Sequence, residues 1–544
     1  MRNATIVAPQ PEAAEAGAEV LERGGNAIDA ALACAFVQGV VDPQMSGIGG
    51  FGSMQVYMPK RGVHEILEFY ARASLKATPD MWVDKLVGQS RDGFGFILEN
   101  NLSEIGYQAC CTPASLKGYE TALRDYGTWD WADLMAPAID YAEKGFMVRP
   151  HVDWYWSKDQ SGDGQTNTLD KLRFSETGRQ IYFHADGSPL GVGDILRNPD
   201  LARTLRRIAD SGSSDIFYHG EIAERIAADF AANGGLIGLD DLAQYEVSRA
   251  SPIWGNYRGH RIASSPPPGS GFPMIELLQI LEHFDLSRLQ HGSVEHVRLL
   301  FEAMKRMTID KDTWMGDPAY VDVPVERLLS REHAAAHADS IRRGERASVE
   351  RLDASQRDTT HISVVDAQGN AVALTHSLGS PSGVITDGLG FMYNGLMGRF
   401  DPRPGRAASI APGKRRASSA APTIVFKGEE PSIVIGAPGG SYIAPTVAQG
   451  IINMIDYEMD VLSAVAAPRV VGVSNTIDIC NRIRRSVAEA LRGEGYDVAR
   501  SPQTYAFAAL HGIRIRDGHS VGAADPQRDG MAISVVPGKG DPGC

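Results

Sequence analysis

Two adjacent threonine hydroxyls, Thr359 and Thr360, stand at the mouth of a strand-like run, His361 to Val365. A second run, Ala371 to Thr375, follows the polar break Asp366-Ala367-Gln368-Gly369-Asn370. β-formers on both sides of residues that tolerate positive φ predict a hairpin. A Thr hydroxyl attacks a carbonyl only when a base stands beside it; taken locally, a Thr pair is also an ordinary way to begin a strand. Four other groups could do chemistry. Ser418-Ser419 offers paired hydroxyls ahead of the β-run at Thr423, and Gly436-Ala437-Pro438-Gly439-Gly440-Ser441 offers backbone N–H groups with no side chain in front of them. His333 and His337 stand four apart among alanines, as a metal-binding pair would. Neither Glu nor a third ligand follows in metalloprotease spacing, so they predict an exposed helix face. Gly47-Ile48-Gly49-Gly50-Phe51-Gly52 matches a dinucleotide fingerprint but leads into strand-like Ser53 to Tyr57 rather than a helix. The order is wrong for a nucleotide, and close backbone packing is the expected use.

The elements that must position these groups are legible in part. Pro11 to Leu21 reads as helix, stopped by Gly24-Gly25, and Asn26 caps a second helix from Ala27 to Val37. Glu65 to Tyr70 reads as a strand. Ala114 to Gly145 and Leu201 to Ala227 read as helical, and the polar stretch 157–193 as a loop-rich insertion. Ser265-Pro266-Pro267-Pro268-Gly269 makes a rigid turn into an apolar helix from Met274 to Phe284. The charged segment Arg342 to Asp358 predicts a mobile linker.

The run Thr359-Thr360-His361, Ser363 to Asp366 and Gly369 to Val372 resembles the self-cleaving segment of the γ-glutamyltranspeptidase family, the N-terminal-nucleophile hydrolases. Gly24 to Ala31, Gly145 to Val148, the proline-rich turn and Gly316-Asp317-Pro318 resemble that family in the same order, from about Ala4 to Asp529. The resemblance implies an α/β fold built as a four-layer αββα sandwich. It implies a cut between Asp358 and Thr359, giving a large subunit 1–358 and a small subunit 359–544. Thr359 would then be both nucleophile and, through an α-amine whose reference pKa is roughly 8, its own base.

By the same resemblance Ser377 supports the nucleophile at the end of the second strand, beside Thr375. Gly439 and Gly440 N–H groups form the oxyanion hole, and Ser418 and Ser419 contact a substrate carboxylate. The family's carboxylate-holding Arg falls on Tyr70; Arg72, two residues on, keeps that strand face. The amine-binding block aligns with Asn394 to Phe400 and departs from the family: Leu396 replaces a Gln, Arg399 an Asp, and Gly379 stands where an Asn is usual. A guanidinium in place of a carboxylate repels an ammonium, so γ-glutamyl donors should bind badly. The basic loop with Arg403, Arg406, Lys414 and Arg415 resembles the acylase and small-amide branch, and those cations would draw an anionic substrate.

Composition narrows the partners. A net charge of −14 opposes nucleic acid or an anionic membrane as the main partner. The longest apolar stretch, Ala31 to Val41, is too short to cross a bilayer. Five scattered Cys and no apolar leader predict reduced thiols in the cytoplasm. No cofactor and no metal are expected; the expected partners are a small amide substrate and the two subunits of the cut chain, with a dimer of these left open. The expected activity is hydrolysis of an amide of a small, carboxylate-bearing acyl group. A γ-glutamyl hydrolase or transferase, and an unprocessed acid-binding relative, are the alternatives.

Thr359→Ala should therefore remain one polypeptide on a denaturing gel, whereas the wild type should yield 1–358 and 359–544, the smaller beginning Thr-Thr-His. Equal cleavage of the variant would remove Thr359 from this role.

Overall fold

The computed structural model describes residues 3–89, 96–158, 166–350 and 359–537. The predicted hairpin forms between Thr360–Val365 and Ala371–Ser377 and lies inside a seven-stranded sheet. Its order is Met531–Val535, Ala4–Ala8, Thr360–Val365, Ala371–Ser377, Phe51–Met58, Val63–Phe69, Ser248–Ala250, antiparallel at every step. A six-stranded antiparallel sheet runs His519–Ala524, His511–Arg516, Glu430–Gly436, Thr423–Lys427, His260–Ser264, Ile253–Tyr257.

Side-chain alternation along the hairpin divides the core. Ile362, Val364 and Leu374 pack with the helices Pro11–Glu22 and Ala27–Val41. Ala371 and Ala373 face the other way and pack with Ile424, Val434 and Ile513 of the second sheet. A further apolar cluster joins Val425, Ile433 and Ile435 to the helices Gly271–Glu282, Val294–Trp314 and Ile443–Ile455. The sheets approach closely where a Cβ on Gly436 would lie 2.1 Å from the His361 ring, so only glycine fits there.

Asn26 caps the helix Ala27–Val41 as expected, accepting from Ile28 and Asp29 N–H while Asp29 accepts from Asn26 N–H. The Gly47–Gly52 turn is packed backbone on backbone: a Cβ at Gly49 would meet Met392 O, and one at Gly50 would meet Ser377 O, both at 2.4 Å. Two expectations need correction. The insertion 157–193 carries the short helices Thr168–Leu172 and Glu176–Tyr182, whose few apolar positions left little periodicity to read. The linker expected over 342–358 is described to residue 350, and to that point it is tied down. Lys305 donates to Ala347 O, Arg306 to Glu345 O, and Val349 N–H to Asn475 Oδ1. Its composition concealed that the partners lie on distant elements. Residues 351–358 lie outside the described segments.

Cys34, Cys110, Cys111 and Cys480 are buried free thiols. Among the described residues no helix is long and apolar enough to cross a membrane.

The hairpin turn is fastened by Asp366, whose carboxylate accepts from Gln368 N–H, Asn370 N–H, the Asn370 side chain and Ala27 N–H. Asp366→Ala leaves these donors, those of Ala27 and Asn370 buried, unanswered and removes a negative charge from a helix N-terminus. We expect a loss on the order of 2–4 kcal/mol, read as a lowered thermal midpoint; an unchanged midpoint would show that the turn does not depend on this carboxylate.

Candidate active site

Register decides which groups meet. Thr360 pairs with His376 and His361 with Thr375, so Thr359 lies across from Ser377. Thr359, His361 and Ser363 share the face directed at the second sheet, with Thr375 and Ser377 beside them. Ser377 Oγ accepts from Gly379 N–H at 2.7 Å and donates to Thr359 Oγ1 at 3.3 Å. The Thr359 carbonyl is held as well: Arg528 Nη1 donates to it at 2.6 Å while Nη2 donates to Tyr155 Oη at 2.5 Å.

Beneath the hydroxyls lies a buried histidine. His361 contacts Thr375 Oγ1 through Nδ1 at 2.8 Å and Ser363 Oγ through Nε2 at 3.1 Å. Burial, with a smaller push from His376, lowers its pKa to about 3, so it is neutral. Ser363 donates its one proton to His511 O. His361 Nε2–H therefore donates to Ser363 and Nδ1 accepts from Thr375, which turns the lone pairs of Thr375 Oγ1 away from the ring.

A cleft opens over these groups. Its walls include Thr359, Thr375 and Ser377 from the first sheet, Ser418, Ser419 and Gly440 from the second layer, and the guanidinium-bearing Arg399 and Arg416. The Gly439-Gly440 turn follows the Glu430–Gly436 strand and leads directly into the helix Ile443–Ile455, whose Ile443 also lines the cleft. Positive φ at Gly439 (140°) and Gly440 (59°) makes this turn a glycine structure. It brings the positive end of a helix dipole to the cleft that Thr359 lines. Ser419 Oγ is buried with no hydrogen-bond partner among the described residues, whereas Ser418 Oγ accepts from Ala420 N–H. Ser418 is fixed from below: its N–H donates to Pro268 O, and Ser270 Oγ donates to its carbonyl.

The cleft does not gather every expected residue. Arg72 donates to Glu246 O and lies over the Tyr245 ring, 5.0 Å from its centroid, and is not a wall of the cleft. The strand ends at Phe69, so alternation no longer governs position 72. Tyr70 is buried behind Phe51, which takes the wall position, with ring centroids 6.4 Å apart. Asn394 spends its amide on the Gly49 and Cys111 backbones and braces that region instead of facing the cleft. Gly439 lies one residue outside the walls, packed on Ala508.

Within the basic loop the expectation also shifts. Arg415 pairs with Glu68 and Asp317, Lys414 donates to Ala407 O and Ser409 O, and Arg403 pairs with Asp401. Arg403 and Arg406 border a neighbouring cavity that shares Arg399 and Ser418 with the cleft. Arg416 is the loop cation that reaches the Thr359 cleft, and sequence reasoning passed it over among its neighbours. Arg528 was also missed: it stands 169 residues from Thr359 and carries no local motif.

Gly439 gives a direct test of the turn. A Cβ there would lie 2.4 Å from Ala508 Cβ at a φ that L-residues rarely adopt, so the backbone N–H groups must move. Gly439→Ala should lower kcat by roughly 10²-fold or more with the fold intact by circular dichroism. Unchanged turnover would remove this turn from the chemistry.

The chain is similar to known proteins along nearly its whole length. Residues 13–535 match the Gamma-glutamyltranspeptidase family. The acylase ACY 1 proenzyme of Pseudomonas sp. (strain V22) is 36% identical over 98% of this chain and 94% of its own. The glutathione hydrolase proenzyme of Bacillus subtilis (strain 168) is 33% identical over 98% of this chain and 92% of its own. Among solved structures, cephalosporin acylase from Bacillus halodurans superposes with a TM-score of 0.86 at 28% identity, covering 98% of this chain and 96% of that one. With that match on top of the Thr359 cleft, the chain belongs to the γ-glutamyltranspeptidase family of N-terminal-nucleophile amide hydrolases.

Proposed function

We infer that this protein is a self-processed amidohydrolase whose acyl substrate carries a carboxylate without the α-ammonium group of glutamate. The carrying observation is that Arg399 and Arg416 line the same cleft as Thr359, together with Ser418 and Ser419. Two buried guanidiniums and two hydroxyls suit a carboxylate and oppose an ammonium. The carboxylate beside Arg399, Glu104 at 3.9 Å, is engaged by Lys171 at 3.2 Å and so is poorly placed to bind an amine.

In this reading the chain is cut before Thr359 into subunits 1–358 and 359–544. Thr359 Oγ1 attacks the amide carbon, its proton passing to the freed α-amine. The Gly439 and Gly440 N–H groups, at the helix N-terminus, hold the oxyanion. The amine then carries the proton to the leaving nitrogen, and water opens the ester. Ser377 orients the attacking oxygen. The proenzyme names of both relatives support the cut. The three apolar cores support the four-layer αββα arrangement, with two sheets face to face and helices outside.

A second reading, a γ-glutamyl hydrolase, is favoured by the glutathione hydrolase relatives. The two separate on kcat/KM for glutaryl- against γ-glutamyl-p-nitroanilide. Burying an ammonium beside a guanidinium forfeits roughly 3–5 kcal/mol, so the glutaryl compound should lead by roughly 10²- to 10³-fold. In Arg416→Ala the glutaryl KM should rise and the lead shrink. Preference for the γ-glutamyl compound would overturn the substrate reading.

A further inference from the structure

His333 and His337, expected on an exposed helix face, are turned inward. They stand one turn apart on the helix Arg331–Arg342, which packs on the helices Gly271–Glu282 and Val294–Trp314. Those helices bring Glu276 and Asp310 to the same point. His333 Nε2 and His337 Nε2 lie 2.9 and 3.0 Å from Asp310 Oδ2 and 3.1 Å from one another. Glu276 Oε1 lies 3.5 Å from His333 Nε2 and 3.8 Å from His337 Nε2. One donor atom from each of the four residues falls within a 4.8 Å span.

Side-chain hydrogen bonding alone leaves this cluster badly solved. Both imidazole Nε2 atoms crowd one oxygen of Asp310. Glu276 is fully buried beside the Asp310 carboxyl, and among the described residues neither of its oxygens accepts from an N–H or hydroxyl donor. A buried carboxylate without a donor is costly unless protonated or bound to a cation. One dication at the centre would answer both carboxylates and both nitrogens. The spacing fits the ion: Zn–N and Zn–O bonds of about 2.0–2.2 Å give tetrahedral ligand–ligand edges of about 3.3–3.6 Å. The edges recorded for the imidazoles, 2.9 to 3.8 Å, straddle that range. Imidazole with carboxylate also suits zinc better than calcium or magnesium, which take all-oxygen shells. His333 and His337 retain partial exposure, leaving a way in from solvent.

We propose that Glu276, Asp310, His333 and His337 form a four-ligand Zn²⁺ site that staples three helices, apart from the Thr359 cleft. No step of amide hydrolysis runs through it. Its reach is mechanical: the helix bearing Glu276 begins at the proline turn that fixes Ser418, and the helix bearing both histidines precedes the segment leading to Thr359.

The test uses full-length protein stripped with chelator, dialysed and titrated with Zn²⁺ by calorimetry, with Co²⁺ as a spectroscopic probe. One equivalent of Zn²⁺ per chain, a raised melting temperature and the intense visible bands of four-coordinate Co²⁺ are expected. His333→Ala/His337→Ala should lose the equivalent and the bands. Glu276→Gln, which keeps the shape of the pocket, should bind at least about tenfold more weakly. Absence of stoichiometric binding to the wild type, the weak bands of octahedral Co²⁺, or undiminished binding in Glu276→Gln would overturn the proposal. Should the double variant fail to fold, the wild-type Co²⁺ spectrum and Glu276→Gln decide it.

Discussion

The site depends on the register of one hairpin. Because Thr360 pairs with His376, the hydroxyl of Thr359 falls across from Ser377 and on the face that meets the second sheet. A one-residue slip would turn that face over. His361 would then enter the apolar layer against the helices, and Ile362 would be driven against Gly436, where no Cβ fits now. The register is thus enforced from both sides. On the helix side Gln38 donates to Thr360 Oγ1, and its Oε1 meets His376 Nε2. On the other side the His361 ring fills the space left by Gly436. The geometry around Thr359 follows from packing on both sides of the hairpin.

Charge is distributed around the cleft with the same economy. The histidines closest to Thr359 are kept neutral by burial, so they shape hydrogen bonds without adding charge. Arg399, Arg416 and the start of the helix Ile443–Ile455 border the Thr359 cleft, where the proposed reading puts the acyl group. Neighbouring cations are cancelled: Arg415 by Glu68 and Asp317, Arg403 by Asp401. Within this run Arg416 is the residue that lines the Thr359 cleft.

What could be read from the sequence was whatever local physics encodes. The hairpin, the Asn26 cap, the glycine turn at Gly439 and the serine pair each sit within a few residues of their own signal. Arg72 failed as a cleft residue because strand alternation was extended past Phe69, where the chain leaves the sheet. Arg416 and Arg528 had no local signal, since a cation's role is set by what the fold puts beside it. The same holds for His333 and His337, whose partners Glu276 and Asp310 come from two other helices, Asp310 lying 23 residues before His333. Spacing rules detect ligands that share an element and are silent when three elements contribute.

In the proposed reaction the cut and the hydrolysis use one nucleophile, so its position must survive the loss of the peptide bond before it. The contacts that hold Thr359 meet that demand. Arg528 grips its carbonyl, Ser377 its hydroxyl, and the strand beginning at Thr360 carries its backbone. None of these involves the nitrogen that cleavage would release. Breaking the bond would free an amine on Thr359, beside an oxygen already held in place, and leave the new carboxylate on Asp358. Because that oxygen does not have to be repositioned, the oxyanion turn that would serve the first ester can serve the second.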